Sequence, residues 1–242
     1  MSVYFSQIEQ DFLLDTAVFQ GMRGGVFVDV GAHDGVTLNN TLLFERERGW
    51  RGLCVEPNPT VFQQLTKARR VPSLNIALGN EEGILPFRKV TGEAEMLSEL
   101  VDSASPDHMA RIEREMIRFG GSQTIIDVPV RRLGDVLSEH GIDEIHYISI
   151  DVEGAELPIL GSLDHKKFFF HVIDVECNDR RDAPGLAAAL GSAFVPLRHR
   201  HDIFFFINRG SAFVQRVGHL RRAIWNYELR RRVSKLRRML HH

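Results

Sequence analysis

Val28-Asp29-Val30-Gly31-Ala32-His33-Asp34-Gly35 is the stretch on which the fold turns. It ends a run, Val26–Val30, that is apolar enough to be a central strand. Glycines after such a strand let the chain turn tightly where a Cβ would obstruct it. Outward from there, short β-rich apolar runs alternate with helix-like stretches, the pattern of a parallel sheet covered on both faces. A helix is expected over 38–48 and a strand over Gly52–Glu56. Pro57-Asn58-Pro59 then opens a second helix, and a third strand is expected over Ser73–Leu78. Strands at Ile125–Val130, Ile145–Asp151 and Phe168–Glu176 follow, with helices at Leu133–His140 and Pro184–Leu190. Ala193–Leu197 and Ile203–Asn208 read as a closing hairpin.

The loop carries an acid on each side, Asp29 and Asp34. A pyrophosphate is repelled by that charge, whereas a sulfonium and an amino group are attracted by it, which points to S-adenosylmethionine (SAM). Glu56 ends the second strand 25 residues after Gly31, where a carboxylate can accept from both ribose hydroxyls. The Gly-x-Gly-x-x-Gly pattern of nicotinamide binders is absent. Asp151, Glu153 and Glu156 crowd one later strand end, and Asp174, Glu176 and Asn178 crowd the next. In a doubly wound sheet both ends border one crevice. Asp151 is the candidate to orient or deprotonate an acceptor hydroxyl, with Glu153 and the His201-Asp202 pair as further catalytic candidates. Asp151, Glu176 and Asn178 form a candidate oxygen ligand set for Mg²⁺. Against this stands a plainer reading, in which Glu153 and Glu156 cap helix N-termini. His146 and His171 open apolar strands and read as edge residues.

Four blocks together resemble the FkbM family of SAM-dependent methyltransferases: Gln10-Asp11; Val28 to Gly35; Phe44-Glu45 with Gly49-Trp50-Arg51-Gly52-Leu53-Cys54-Val55-Glu56-Pro57-Asn58-Pro59; and Ile148-Ser149-Ile150-Asp151-Val152-Glu153-Gly154-Ala155-Glu156 with Leu160-Gly161. Val175-Glu176-Cys177-Asn178 is a weaker echo. The resemblance spans residues 7–208. It implies a class I Rossmann-like α/β fold, a seven-stranded, mostly parallel sheet with the last strand antiparallel. It also implies methyl transfer to a hydroxyl of a sugar, glycan or natural-product acceptor. By position, Gly31, Ala32, Asp34 and Glu56 would bind SAM and Asp151 would lie beside the methyl group. The full expected cofactor set adds Gln10, Asp11, Asp29, His33, Gly35, Asn40, Pro57 and Asn58. His33 and Asn39 depart from the family, which often has Asn and Ser there.

The 242 residues and 43% hydrophobic content suffice for one sizeable core. Residues 1–208 are expected to be the methyltransferase domain, with 80–124 an irregular insertion over the sheet edge or the acceptor site. Residues 209–242 read as a basic helical tail. That tail holds ten Lys/Arg and one acid, Glu228, about +9, while the first 208 residues hold 20 bases and 31 acids, −11. Leu220, Ile224, Tyr227, Val233, Leu236 and Leu240 fall near one side of it. Such a helix suits an anionic membrane surface, a homo-oligomer contact or the acidic body. With a membrane-bound tail, the acceptor could be lipid-linked. An acidic body without an aromatic-and-basic platform argues against nucleic acid. Cys54 and Cys177, the absence of a leader pattern and the lack of a long apolar run point to the cytoplasm, with the inner membrane face as the peripheral alternative. Two other functions fit the same residues: a non-catalytic SAM-binding adaptor acting through its tail, and a methyltransferase for a non-oxygen acceptor.

Overall fold

The computed structural model of the chain describes residues 3–177, 183–199 and 202–240. Its centre is β1 (Val26–Val30), buried at every position because helices cover both faces. β1 pairs in parallel with β2 (Arg51–Val55) on one side and with β8 (Glu144–Ile150) on the other. β3 (Ser73–Leu74) extends the sheet beyond β2, and β9 (Phe169–Glu176) extends it beyond β8. β10 (Phe194–His199) and β11 (Ile203–Asn208) close it as a hairpin, with β11 inserted antiparallel between β9 and β10. The seven strands run β10-β11-β9-β8-β1-β2-β3, so the last strand is reversed, as the family resemblance implies.

On one face lie α1 (Gln10–Leu13) with its π-helical continuation Leu14–Phe19, then α2 (Leu42–Arg48) and α3 (Pro59–Ala68). Phe19, Phe44, Trp50 and Tyr147 make the aromatic centre of that layer, with Phe44 and Trp50 at 4.7 Å between ring centroids. α5 (Leu133–Glu139), α6 (Glu156–Gly161) and α7 (Ala183–Leu190) cover the other face through Leu133, Leu137, Ile159 and Leu186. The helix expected from 38 begins only at Leu42, because the side chain of Asn39 takes the amides of Thr41 and Leu42 and Leu38 has φ +54°.

Residues 80–124 are orderly rather than irregular. β4 (Ala77–Leu78), β5 (Gly83–Val90), β6 (Glu99–Leu100) and β7 (Gln123–Arg131) form a second sheet in the order β4-β7-β5-β6. The strand expected over 73–78 is therefore two short pieces, one in each sheet. α4 (Pro106–Phe119) packs Ile112, Met109 and Met116 against Val90, Ala94 and Leu97, while Phe119 stays exposed. Ser105 caps α4, its Oγ accepting from the amide of His108.

The tail is one helix, α8 (Val217–Leu240), but it does not stand apart from the body. Leu220 and Ile224 are buried in the same layer as Phe19, and Tyr227 meets the His199 ring at 4.8 Å. Val233, expected on their side, is exposed. Among the described residues no helix is long and apolar enough to cross a membrane.

Candidate functional site

A cleft opens at the carboxyl ends of β1, β2, β8 and β9 and is roofed by the second sheet. Ligands of open α/β sheets bind at this end. Gln10, Gly31, His33, Asn40, Glu56, Pro57, Asn58, Asp151, Glu153 and Glu176 line it, so most of the residues singled out from sequence converge here. Asn178 and His201 lie outside the described residues.

The glycines of the loop serve a purpose other than room for a ligand. A Cβ on Gly31, at φ +83°, would stand 1.8 Å from the carbonyl oxygen of Asp151. One on Gly35, at φ +78°, would meet Leu65 at 2.6 Å and Arg69 at 2.7 Å. Gly31 thus lets the β1 loop lie directly on the chain leaving β8, which brings the two halves of the site together.

Asp29 and Asp34, expected to meet the cofactor's positive charge, are not on the cleft wall. Asp29 is buried behind it and accepts from Asn39 Nδ2 at 2.8 Å and from Thr41 Oγ1 at 2.7 Å. Arg69 lies 3.5 Å from Asp29, binds Thr41 Oγ1 at 2.9 Å and forms a close ion pair with Glu45. Asp34 folds its own loop by accepting from the amides of Val36 at 2.8 Å and Thr37 at 2.7 Å. Burial alone would raise its pKa, but those bonds and the Thr37 hydroxyl leave it lowered. Asp11 likewise ties the N-terminal turn, accepting from Phe5 N at 2.6 Å and Phe12 N at 2.8 Å. Ala32 and Gly35 also stand behind the wall.

Glu56 has the opposite placement. It faces the cleft, and its two oxygens accept the amides of His33 at 2.9 Å and Asn58 at 2.8 Å. Burial nonetheless pushes its carboxyl up to about 7. Around it are buried polar atoms with no hydrogen-bond partner: both ring nitrogens of His33, Oδ1 of Asn40 and Nδ2 of Asn58. His33 also has φ +50°. Buried polar groups are ordinarily satisfied, so orphans gathered on one cleft wall fit a polar ligand such as SAM.

Across the cleft, Asp151, Glu153 and Glu176 line the wall together. Burial raises the pKa of Asp151, and the charges of Glu176, Glu153 and Glu156 raise it further. Glu176 is raised too, by burial and by Glu153. Glu156 ties its own loop, accepting from Gly154 N at 3.0 Å, and makes no side-chain cap of the helix it opens. Glu153, at φ +56°, is held by His108 Nδ1 at 3.2 Å and Arg111 at 3.6 Å. His108 Nε2 reaches Glu99 at 3.2 Å and the Leu97 carbonyl at 3.0 Å. Burial opposes charge on His108, but the two carboxylates prevail and its pKa is raised. His108, Arg111 and Arg69 were not singled out from sequence, since each sits on a charged helix surface with no motif around it.

Among the described residues, the cleft carboxylates do not bring three ligand atoms within metal-binding distance of one another. Glu144, His146 and His171 do, at the opposite end of β8 and β9, with ligand atoms within 4.8 Å. There the His146 and His171 rings stack at 4.8 Å, so neither is a bare edge residue. The Val26 amide donates to Nδ1 of His146 at 3.3 Å, which keeps the ring proton on Nε2 and opposes ligation there.

Comparison with known proteins fits this geometry. Residues 29–210 match the model of the methyltransferase FkbM domain. Methyltransferase sdnD of Sordaria araneosa is 28% identical over 134 residues, 47% of this chain and 51% of its own. The 2-O-methyltransferase NoeI of Sinorhizobium fredii is 26% identical over 140 residues, 56% of each chain. The matches thus span about half the length of these curated relatives. A TehB-like SAM-dependent methyltransferase structure from Corynebacterium glutamicum aligns over 84% of this chain and 89% of its own, at 9% identity and a TM-score of 0.42. With the family match running from the first strand of the sheet to just past the last, the chain belongs to the FkbM methyltransferase family.

Proposed function

We propose that the chain transfers a methyl group from SAM to a hydroxyl oxygen of a sugar or other small-molecule acceptor. The observation that carries this reading is the cluster of Asp151, Glu153 and Glu176 on one wall of the cleft, set across from the orphaned polar atoms around Glu56. When bound, SAM supplies an electrophilic methyl group on a positively charged sulfur. Glu56 accepts from ribose hydroxyls, while Asn58 Nδ2, Asn40 Oδ1, the His33 ring and Gln10 take the remaining polar atoms of the cofactor. Burial and the neighbouring carboxylates favour protonation of Asp151 and Glu176, so their carboxyl groups bind a proton more readily than exposed ones do. The ionised carboxylate of Asp151 orients an acceptor hydroxyl and takes its proton as the oxygen becomes nucleophilic. Raised carboxyl pKa values suit this role, because a base titrating near neutrality both exists ionised and binds the proton well. His108 and Arg111 position Glu153 at the rim. Oxygen as the acceptor atom is also supported by the name of the Sinorhizobium relative. Mg²⁺ has no part in this reading.

The test is calorimetric binding of SAM and of S-adenosylhomocysteine, followed by incubation with methyl-labelled SAM and fractionated glycans and small molecules. Label in a base-stable ether on a hydroxyl-bearing acceptor is the expected product. Absence of cofactor binding would sink the reading, and label found only on nitrogen would move it to another acceptor atom. An Asp151→Asn variant that matches wild type in transfer would favour the adaptor instead.

A further inference from the structure

α8 is 24 residues long, about 36 Å at 1.5 Å per residue, and meets the body along one side from Leu220 to Arg230. Leu220 and Ile224 are buried, Tyr227 packs on His199, and Arg230 pairs with Glu9 at 3.1 Å. On the opposite side Trp225, Leu229 and Val233 are exposed by 64%, 45% and 41%. A spacing of four residues aligns them as one stripe along the helix. Arg221, Arg222 and Arg232 are exposed beside it, Arg231 and Lys235 are exposed on the side that continues from Ile224 and Tyr227, and Glu228 is the single acid of the helix.

Three occupants of this face can be weighed. A second copy of the helix would hide the stripe but would set two dense arrays of arginine against each other. A nucleic acid would satisfy the arginines and leave Trp225, Leu229 and Val233 in water. An anionic bilayer satisfies both: the apolar side chains enter the boundary between headgroups and acyl chains, and the guanidinium groups reach the lipid phosphates. Trp belongs at that depth, with an apolar ring and one polar N–H. We infer that the outer face of α8 docks the protein on the surface of an anionic lipid bilayer, the helix lying flat. The inference stands apart from the methyl-transfer reading.

The chain supplies its own probe. It has two tryptophans, Trp50 buried in the core and Trp225 exposed, so a change in exposed-Trp emission reports on α8. The full chain is titrated with vesicles of phosphatidylcholine alone and of phosphatidylcholine mixed with phosphatidylglycerol. The expected result is a blue shift and co-sedimentation with the anionic vesicles only, both weakened by salt. Trp225→Phe keeps sedimentation and loses the shift. Arg222→Glu with Arg232→Glu lowers vesicle affinity at least about tenfold, since each base near an anionic surface contributes several-fold to binding. Unchanged SAM affinity in that double variant shows that the body is folded, and loss of SAM binding by wild type would count against the proposed function alone. The inference is overturned by equal behaviour with both vesicle types or by no binding to either. It is likewise overturned by a blue shift that follows protein concentration without lipid, or by tighter binding to RNA homopolymer than to vesicles.

Discussion

Two groups of buried carboxylates lie near the carboxyl ends of neighbouring strands, and their charge is handled in different ways. Asp29 and Glu45 are served by a buried guanidinium, that of Arg69, with Asn39 and Thr41 completing the set. Asp151 and Glu176 have each other and the neighbouring Glu153 and Glu156. The first group is a network of two carboxylates around one guanidinium whose hydrogen bonds are directed inward, so it holds the loop in place. The second is held above the usual carboxylate range by burial and by its acidic neighbours, with Arg111 only partly opposing that rise at Glu176, and it faces the cleft. An acid beside an arginine here is scaffold, and an acid beside acids is available for proton transfer.

The largest effect that can break this contrast is expected at Asp151. Replacing Asp151 by Asn keeps its volume and removes the ionisable group, so methyl transfer should fall by about 10² to 10⁴ while SAM binding persists. Labelled transfer measured beside calorimetry checks it, and parallel loss of both would make Asp151 a structural residue like Asp29. Next is Arg69→Met, which leaves Asp29 and Glu45 buried without their cation. Breaking a buried pair in this way costs about 3–5 kcal/mol. Urea unfolding should show that loss, and a smaller change would mean that Asn39 and Thr41 suffice alone.

A third test uses pH. Asp174 sits under the same strand ends, accepts the Tyr147 hydroxyl at 3.0 Å, and has its carboxyl pushed up to about 8, chiefly by burial. The folded state therefore holds this proton more tightly than the unfolded chain. Its contribution is complete below the ordinary carboxyl range and is lost as pH rises through about 8. The slope is at most about 1.4 kcal/mol per pH unit for one such group. Asp174→Asn stays neutral and keeps an acceptor for Tyr147, so its stability should fall less steeply over that interval. Identical slopes in denaturation series of the two proteins would refute the assignment.

The contrast also explains what could be read from the chain. Strand ends that carry acids after an apolar run are local patterns, and Glu56, Asp151 and Glu176 were legible for that reason. So were the parallel core and the closing hairpin. The role of Asp29 was not, because its partner Arg69 is 40 residues away in Lys67-Ala68-Arg69-Arg70, a stretch that looks like an exposed basic helix end. The second sheet was hidden by the same kind of distance. β5 pairs with β7 across the whole of α4, so a strand expected over Ile125–Val130 carries no local sign that it leaves the main sheet for a second one. The tail deceived differently: it has apolar residues on two faces, and composition alone merges them into one.

The smallest effect is expected at Asn58, where scaffold and site meet in a single side chain. Its Oδ1 caps α3, accepting from the Thr60 amide at 3.1 Å, and its Nδ2 is buried on the cleft wall without a partner. Asn58→Ser keeps a capping oxygen and deletes the amide nitrogen. Stability should then change little, while affinity for SAM falls by the worth of one hydrogen bond, about 0.5–1.5 kcal/mol or roughly 2- to 13-fold. Asn58→Ala should lose both, with about 1 kcal/mol of stability going with the cap. If Ser and Ala weaken SAM equally but only Ala destabilises, the two ends of the side chain act independently. If the Ser variant binds SAM like wild type, the orphaned nitrogen is not a cofactor contact, and the cleft wall must be read from His33 and Asn40 instead.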